Sequence, residues 1–241
     1  MKRVFLIIAC IAYAWPLQAQ EEEGFRLLRA KRYEAALAAF ARLVETTDSP
    51  PALVVFNAAV CATRVGDHAA AERYFSLSIA NGYNLFSAYV GKANALKARG
   101  KDDEMLATLR EAMKAGTGAD SLQREKVERM YAACCLERGR ARLRANEIAK
   151  AAESYMLLTR MEGKRWKVDG YLALGTLYTV SGHAILSGAT GNPGKRSTVE
   201  AARKRAAVEF KKARDYLNRA ARLSPDDLRV QDALARLQDK A

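Results

Sequence analysis

Histidine is almost missing from this 241-residue chain; His68 and His183 are the only two. They lie in different segments, neither falls in a metal-ligand spacing, and no His-Glu-x-x-His occurs. No Gly-x-x-x-x-Gly-Lys run is there to cradle a phosphate, and no Gly-x-Ser-x-Gly elbow to carry a serine nucleophile. Carboxylates are plentiful, but they fall where solvent-facing positions are expected. The sequence therefore reads as non-enzymatic, with no cofactor and no metal. His68 reads as packing at a turn, and His183, after Gly182, as a residue at a helix end, where a cation suits the dipole.

Proline is scarce, with five in the chain, and β-branched runs are rare beyond the first dozen residues. Alanine, leucine and arginine dominate, which favours helix and disfavours sheet. The four cysteines are Cys10, Cys61, Cys134 and Cys135. The last three are an odd set with two adjacent members, which is no disulfide framework. They read as small buried helix residues; the alternative is a bridge from Cys61 to Cys134 or Cys135.

Long apolar runs are also lacking, apart from Val4 to Ala14. That run follows Lys2 and Arg3 and precedes Ala19, Gln20 and the acidic Glu21-Glu22-Glu23, the layout of a signal peptide cleaved after Ala19. At about eleven residues it is short for a permanent anchor, which needs roughly 20. Cys10 after Ile7-Ile8-Ala9 faintly resembles a lipoprotein box, but the preceding run is too short. The expected location is beyond the inner membrane, in a periplasm or cell envelope, with no transmembrane helix in the mature chain.

Acidic residues are in deficit only in the second half. Residues 1–120 carry 15 Lys/Arg against 13 Asp/Glu, and residues 121–241 carry 25 against 14. The net charge of +13 thus comes mostly from the C-terminal half, and such a field attracts acidic partners. Arg138, Arg140, Arg142 and Arg144 alternate along one predicted helix, where Arg138 and Arg142 share a face. With Arg203, Lys204, Lys211 and Lys212 they form the candidate basic patch, suited to an acidic protein or acidic lipid headgroups. No aromatic interleaving supports nucleic acid as a partner.

What is present is a repeat. Arg32 to Phe40, Gly66 to Phe75 and Gly100 to Leu109 align, at spacings of 35 and 34 residues. Each places a smaller apolar residue four positions before a larger one: Ala36/Phe40, Ala71/Phe75 and Met105/Leu109. Looser copies follow at Ala152/Met156 and Ala213/Leu217. Small residues let two helices approach, and the large residue lies one turn away on the same face. No pair can bury its apolar face alone, so the units must stack.

This pattern resembles the tetratricopeptide repeat. Gly24, Ala59, Ala93 and Gly175 fit its small eighth position, and Ala36, Ala71, Ala152 and Ala213 its twentieth; Pro225 fits its proline. Tyr171, Leu174, Gly175, Tyr178 and Gly182 fit the first helix of the fifth copy. The resemblance implies an all-α fold: about five helix-turn-helix repeats stacked as a right-handed superhelix (an α-solenoid), then a capping helix. It implies a non-catalytic scaffold that binds a peptide or protein in a concave groove. The expected organisation is a signal peptide at 1–19, three regular repeats at 20–116, two divergent ones at 117–225 and a cap at 226–241.

Within that organisation, Gly116 to Ser121 reads as a loop, with Asp120 or Ser121 capping a long helix from Gln123 to Ala145. Ser187 to Arg196 reads as an irregular loop inside an insertion at 187–197, and Ser197 to Glu200 as a capping box. Leu228, Ala233, Leu234 and Leu237 would form the apolar stripe of the last helix. The resemblance places the groove on the first helix of each repeat. It offers Phe56, Asn57, Val60 and Arg64 in the second copy, Val90, Asn94 and Lys97 in the third, and Leu172, Ala173 and Thr176 in the fifth. The carboxylate clamp of chaperone-binding members is not implied: Asn57 fits one position, but Gly91 and Ser87 stand where an arginine and a lysine are wanted.

Overall fold

Five turns among the described residues share one local geometry; the one at Gly82 lies between helix pairs, and the other four close a pair and set its phase. The computed structural model describes residues 18–115, 120–190 and 196–238. Most of the expected signal segment, the glycines of the expected 116–121 loop, and residues 191–195 and 239–241 lie outside the described residues. Lys31, Gly66, Gly100 and Asn146 each take a left-handed φ, between 58° and 81°. At each, the N–H of that residue donates back three residues, and the N–H of the next donates back five: Lys31 to Leu28 and Arg32 to Leu27, Gly66 to Thr63 and Asp67 to Ala62, Gly100 to Lys97 and Lys101 to Leu96, Asn146 to Leu143 and Glu147 to Arg142. These bonds satisfy the orphan carbonyls of a helix end and reverse the chain. Glycine does so without steric cost, whereas Lys31 accepts about 1 kcal/mol of left-handed strain.

These four turns join first helices to second helices: α1 (residues 18–29) to α2 (Tyr33–Thr46), α3 (Ala52–Val65) to α4 (His68–Ala80), α5 (Leu85–Ala98) to α6 (Asp102–Ala115), and α7 (Ser121–Arg144) to α8 (Ile148–Thr159). Then come α9 (Lys164–Thr190), α10 (Arg196–Leu223) and α11 (Leu228–Gln238). No strand occurs among the described residues. The chain forms two compact units, one through Tyr131 and one from Ala132. The carboxylate of Asp67 accepts from the Ala70 N–H at 2.9 Å and that of Asp120 from the Gln123 N–H at 2.7 Å, so both cap their helices. Asp120 is thus the cap expected before α7, which opens at Ser121 rather than Gln123.

In the first unit, Ala36, Phe40, Ala58, Ala59, Ala71 and Phe75 meet in one core. The backbone of Gly24 lies against the Phe40 ring, so closely that a Cβ there would sit 2.5 Å from Cε1. Met105 and Leu109 are buried on α6. Between α4 and the α5–α6 turn, Glu72 takes both Arg99 and Lys101 as ion-pair partners.

In the second unit, the glycine-to-bulky contact fixes a register that differs from the expected one. Gly139 lies against the Tyr155 ring, sixteen residues on, as Gly24 lies against Phe40. The fourth copy is therefore Ala151/Tyr155; Met156 is only half-buried, while Tyr155 is buried. Two adjacent alanines made both readings fit, and the ring's place against Gly139 separates them. Gly175 faces Leu217 in the same way, with Ala213 beside it. Here 42 residues separate the partners, so the insertion lies wholly between them.

At both ends of the expected loop the described residues are helical, and residues 191–195 lie outside the described residues. Residues Ser187 to Thr190 belong to α9, and α10 already includes Arg196, so Ser197 lies inside the helix rather than in front of it as a cap. Gly182 stands seven residues after Gly175, where the other copies turn, yet the helix runs on through it. Its open side takes the Phe210 ring, 2.6 Å from where a Cβ would be, and packing across the hairpin replaces the turn. His183 accordingly sits mid-helix, edge-on to Phe210 at 5.1 Å, and not at a helix end.

The last helix, α11, buries Val230 and Leu237 against Val168, Ala213, Leu217 and Ala220 of α9 and α10. Leu228 is 76% exposed and Val230 takes its expected place in the apolar stripe. Arg229 ties α11 down through Asp169 of α9 at 2.9 Å and Asp227 at 2.7 Å.

Two measurements check these contacts. Gly139→Ala is expected to lower stability by about 1–2 kcal/mol, because overpacking against Tyr155 outweighs the helix preference for alanine. Gly188→Ala, which meets open space, should raise it by up to about 1 kcal/mol; denaturant unfolding midpoints distinguish the two signs. Arg229 also holds the Asp227 carboxyl below its ordinary pKa. A depressed carboxylate stabilises the folded chain fully above the ordinary aspartate value, about 4, and that contribution is lost as pH falls below it through the lowered native value. Unfolding in a pH series should show this loss, and Arg229→Ala should flatten it.

Candidate functional site

A first helix turns one side to its partner and leaves the other open, so the candidate groove residues divide by spacing. On α3, Val54, Val55, Ala58, Ala59, Cys61 and Ala62 are buried. Asn57 and Val60 are half-buried and Arg64 is exposed, at i, i+3 and i+7 along one face. The Asn57 carboxamide donates to the Leu53 carbonyl at 2.8 Å, and Arg64 reaches over the Tyr33 ring, 6.0 Å from its centre. On α5, Asn94 and Lys97 are exposed. These five residues lie outside the packed core of the first unit.

Three other expected groove residues belong to the packing. Phe56 meets the rings of Phe75 and Tyr83 edge-on at 5.9 and 5.8 Å. Val90 is buried on α5. Leu172 packs against the cores that join α9, α10 and α11. Each is apolar, and an apolar residue beside a helix contact is drawn into it. On α9, Ala173 is half-buried and Thr176 is exposed.

The expected basic patch is not one surface. Arg138 and Arg142 lie half-buried on the packed side of α7, and the Arg142 guanidinium pairs with Glu147 at 3.1 Å. Lys150 and Arg142 together hold the Glu147 carboxyl below its ordinary pKa. Arg140 and Arg144 are the exposed pair, because Gly139 and Leu143 turn inward beside them. Both guanidiniums act on the phenol of Tyr155, although burial dominates and pushes that phenol up. The turn at Asn146 is the signal that would have found this face: Gly139 stands seven residues before it, as Gly24 does before Lys31.

On α10, Arg203, Lys204, Lys211 and Lys212 are exposed. Lys204 pairs with Glu200 at 3.5 Å and Lys212 with Glu209 at 2.7 Å. The Glu209 hydrogen bond raises the Lys212 ammonium above its ordinary pKa. That ammonium also sits over the Tyr178 ring, 5.1 Å from its centre. Tyr178 stacks on Tyr216 at 5.7 Å, and Tyr216 on Tyr171 at 6.3 Å. This tyrosine ladder fastens α9 to α10.

Among the described residues, no three His, Cys, Asp or Glu side chains cluster as metal ligands, and no helix is long and apolar enough to cross a membrane. An open cavity of about 240 Å³ at the start of α1 is lined by Ala19, Gln20, Glu23, Ala39 and Arg42; Glu23 is already paired with Arg26 at 2.6 Å. Cys61, Cys134 and Cys135 are buried, and burial pushes the Cys61 thiol up to about 11. Cys61 is therefore expected to resist alkylation at about pH 8 in the folded chain and to react on unfolding, read by mass mapping of labelled peptides.

No protein-family model matches the sequence, and no curated protein matches it. Among solved structures, the chain is similar to a TPR repeats protein from Bacteroides fragilis NCTC 9343, at 30% identity and a TM-score of 0.78, over 93% of this chain and 99% of that one. It also matches the TPR domain of P58(IPK), at 13% identity and a TM-score of 0.46, over 96% of this chain and 67% of that one.

Proposed function

The chain belongs to the tetratricopeptide repeat family, and on that premise we propose that it is a non-catalytic scaffold that binds a protein or peptide. The observation that carries the reading is the division on α3 and α5. Val54, Val55, Ala58, Ala59 and Ala62 of α3 and Ala88, Val90, Ala93 and Ala95 of α5 are spent on packing, while Asn57, Val60, Arg64, Asn94 and Lys97 are left outside the core. Such a surface has amide donors and acceptors, two cations and a small apolar contact, which is what an extended polar segment needs. Thr176 on α9 is the corresponding residue of the second unit.

The proposed location is the periplasm or cell envelope. It rests on Lys2, Arg3, the apolar run from Val4 to Ala14, and the small Ala19 before Gln20. Contact of the basic C-terminal half with an acidic envelope component is a second reading, favoured by the exposed cations of α10.

A photo-crosslinker placed at Val60 or Asn94 in the intact protein should trap a protein partner in cells, whereas one at exposed Leu228 should not. Arg64→Gln with Lys97→Gln should lower capture about tenfold, as loss of interfacial charge contacts does, at unchanged helix content. Equal trapping at all three positions, or none at Val60 and Asn94, would count against the scaffold reading.

A further inference from the structure

The hairpin α9–α10 is longer than any other in the chain, and its extra length is unevenly charged. From Gly175 to the end of α9 is fifteen residues, against seven from Gly24 or Gly139 to their turns. From the start of α10 to Leu217 is twenty-one residues, against seven from the start of α2 to Phe40. At 1.5 Å per residue the excess is about 12 Å on α9 and about 21 Å on α10. Beyond Gly182 no described residue of α9 is buried, while Ala202 and Ala206 of α10 are. The insertion is thus a two-helix arm.

Its two helices differ in kind. From Gly170 to Thr190, α9 carries no Lys, Arg, Asp or Glu. Its outer side exposes Thr176, Val180, Ala184 and Ser187, with Val180 at 45%. By contrast α10 carries nine Lys/Arg against three Asp/Glu. Arg203, Arg205, Lys211 and Arg214 are exposed and make no ion pair among the described residues. At about 100° per residue, Lys204, Val208 and Lys211 form one outward stripe, with Arg203 and Arg214 on one flank and Arg205 and Lys212 on the other. Val208, 54% exposed, lies in the midst of these cations.

We propose that this arm docks on an anionic lipid surface, with the cations of α10 on the headgroups and the charge-free stretch of α9 from Gly170 to Thr190 beside it. The inference deepens the second reading above and names its partner. The cations are spread around the outer arc of a helix and converge on no shared point. A single acidic peptide would leave most of them unengaged, whereas a sheet of phosphate headgroups meets them all and demands no fixed geometry. An uncharged stretch beside them, with Val180 exposed, adds no desolvation cost at the headgroup boundary. No described helix can span the bilayer, so the contact is peripheral.

The test is flotation of the full chain with vesicles containing about 30 mol% phosphatidylglycerol, against pure phosphatidylcholine, at about 50 and 150 mM salt. The expected result is binding to the anionic vesicles alone, weaker at the higher salt. The variant Arg203→Gln/Arg205→Gln/Lys211→Gln, which breaks no ion pair and keeps good helix formers, should lower the partition coefficient roughly 100-fold. The corresponding glutamate variant should abolish binding. Equal binding to both vesicles, no difference between wild type and the glutamine variant at equal helicity, or retention of a polyglutamate peptide with no vesicle binding would each overturn the proposal. Partner trapping at Val60 is read separately: lost vesicle binding with trapping intact rejects the arm and leaves the scaffold standing.

Discussion

A helix hairpin without a side chain at one crossing point can close to a distance that no other pair of residues permits. That contact recurs through the chain: Gly24 under Phe40, Gly139 under Tyr155 and Gly175 under Leu217, with the buried Ala59 and Ala93 in the matching places of the other two hairpins. Close approach buries the bulky partner completely, and the burial sets the register of both helices. The left-handed turn seven residues beyond the glycine or alanine follows from the same register in four of the five hairpins. Any residue that disturbs the crossing must move a buried ring or a buried leucine, which is why one added methyl group is costly at Gly139 and harmless at Gly188.

The fifth hairpin shows what happens when the contact stays and the turn is lost. Gly182 stands where a turn is due, but the Phe210 ring fills the space that its missing side chain leaves. The chain gains a second close crossing, and both helices run on. A scaffold repeat becomes a repeat with an arm, at no cost to the phase of its neighbours, because the extra residues are added between the contact partners. The cations fall on α10 and the uncharged stretch on α9, so the arm presents a chemistry that the regular hairpins lack.

Function in such a chain resides in what the packing leaves over. On α3 and α5 that remainder is polar with a small apolar contact; on α10 it is rich in cations. The two surfaces need not serve one partner, and the scaffold and arm readings fail by different measurements.

The helix-pair architecture was legible from the primary sequence through a resemblance: a small residue and a large one four apart recur near 34 residues, and that recurrence resembles the tetratricopeptide repeat, which implies paired helices. The first three hairpins and the cap at Asp120 follow from such local rules. What spacing leaves degenerate was decided only by tertiary contact. Adjacent Ala151 and Ala152 allow two registers, and only the Tyr155 ring against Gly139 selects one. That choice turns Arg140 and Arg144 outward and Arg138 and Arg142 inward. Phe56, Val90 and Leu172 satisfy a groove spacing equally well, but apolar side chains beside a helix contact go into it. Gly182 stands where the spacing expects a turn; the Phe210 ring against it keeps α9 helical, and packing across the hairpin overrides the local signal.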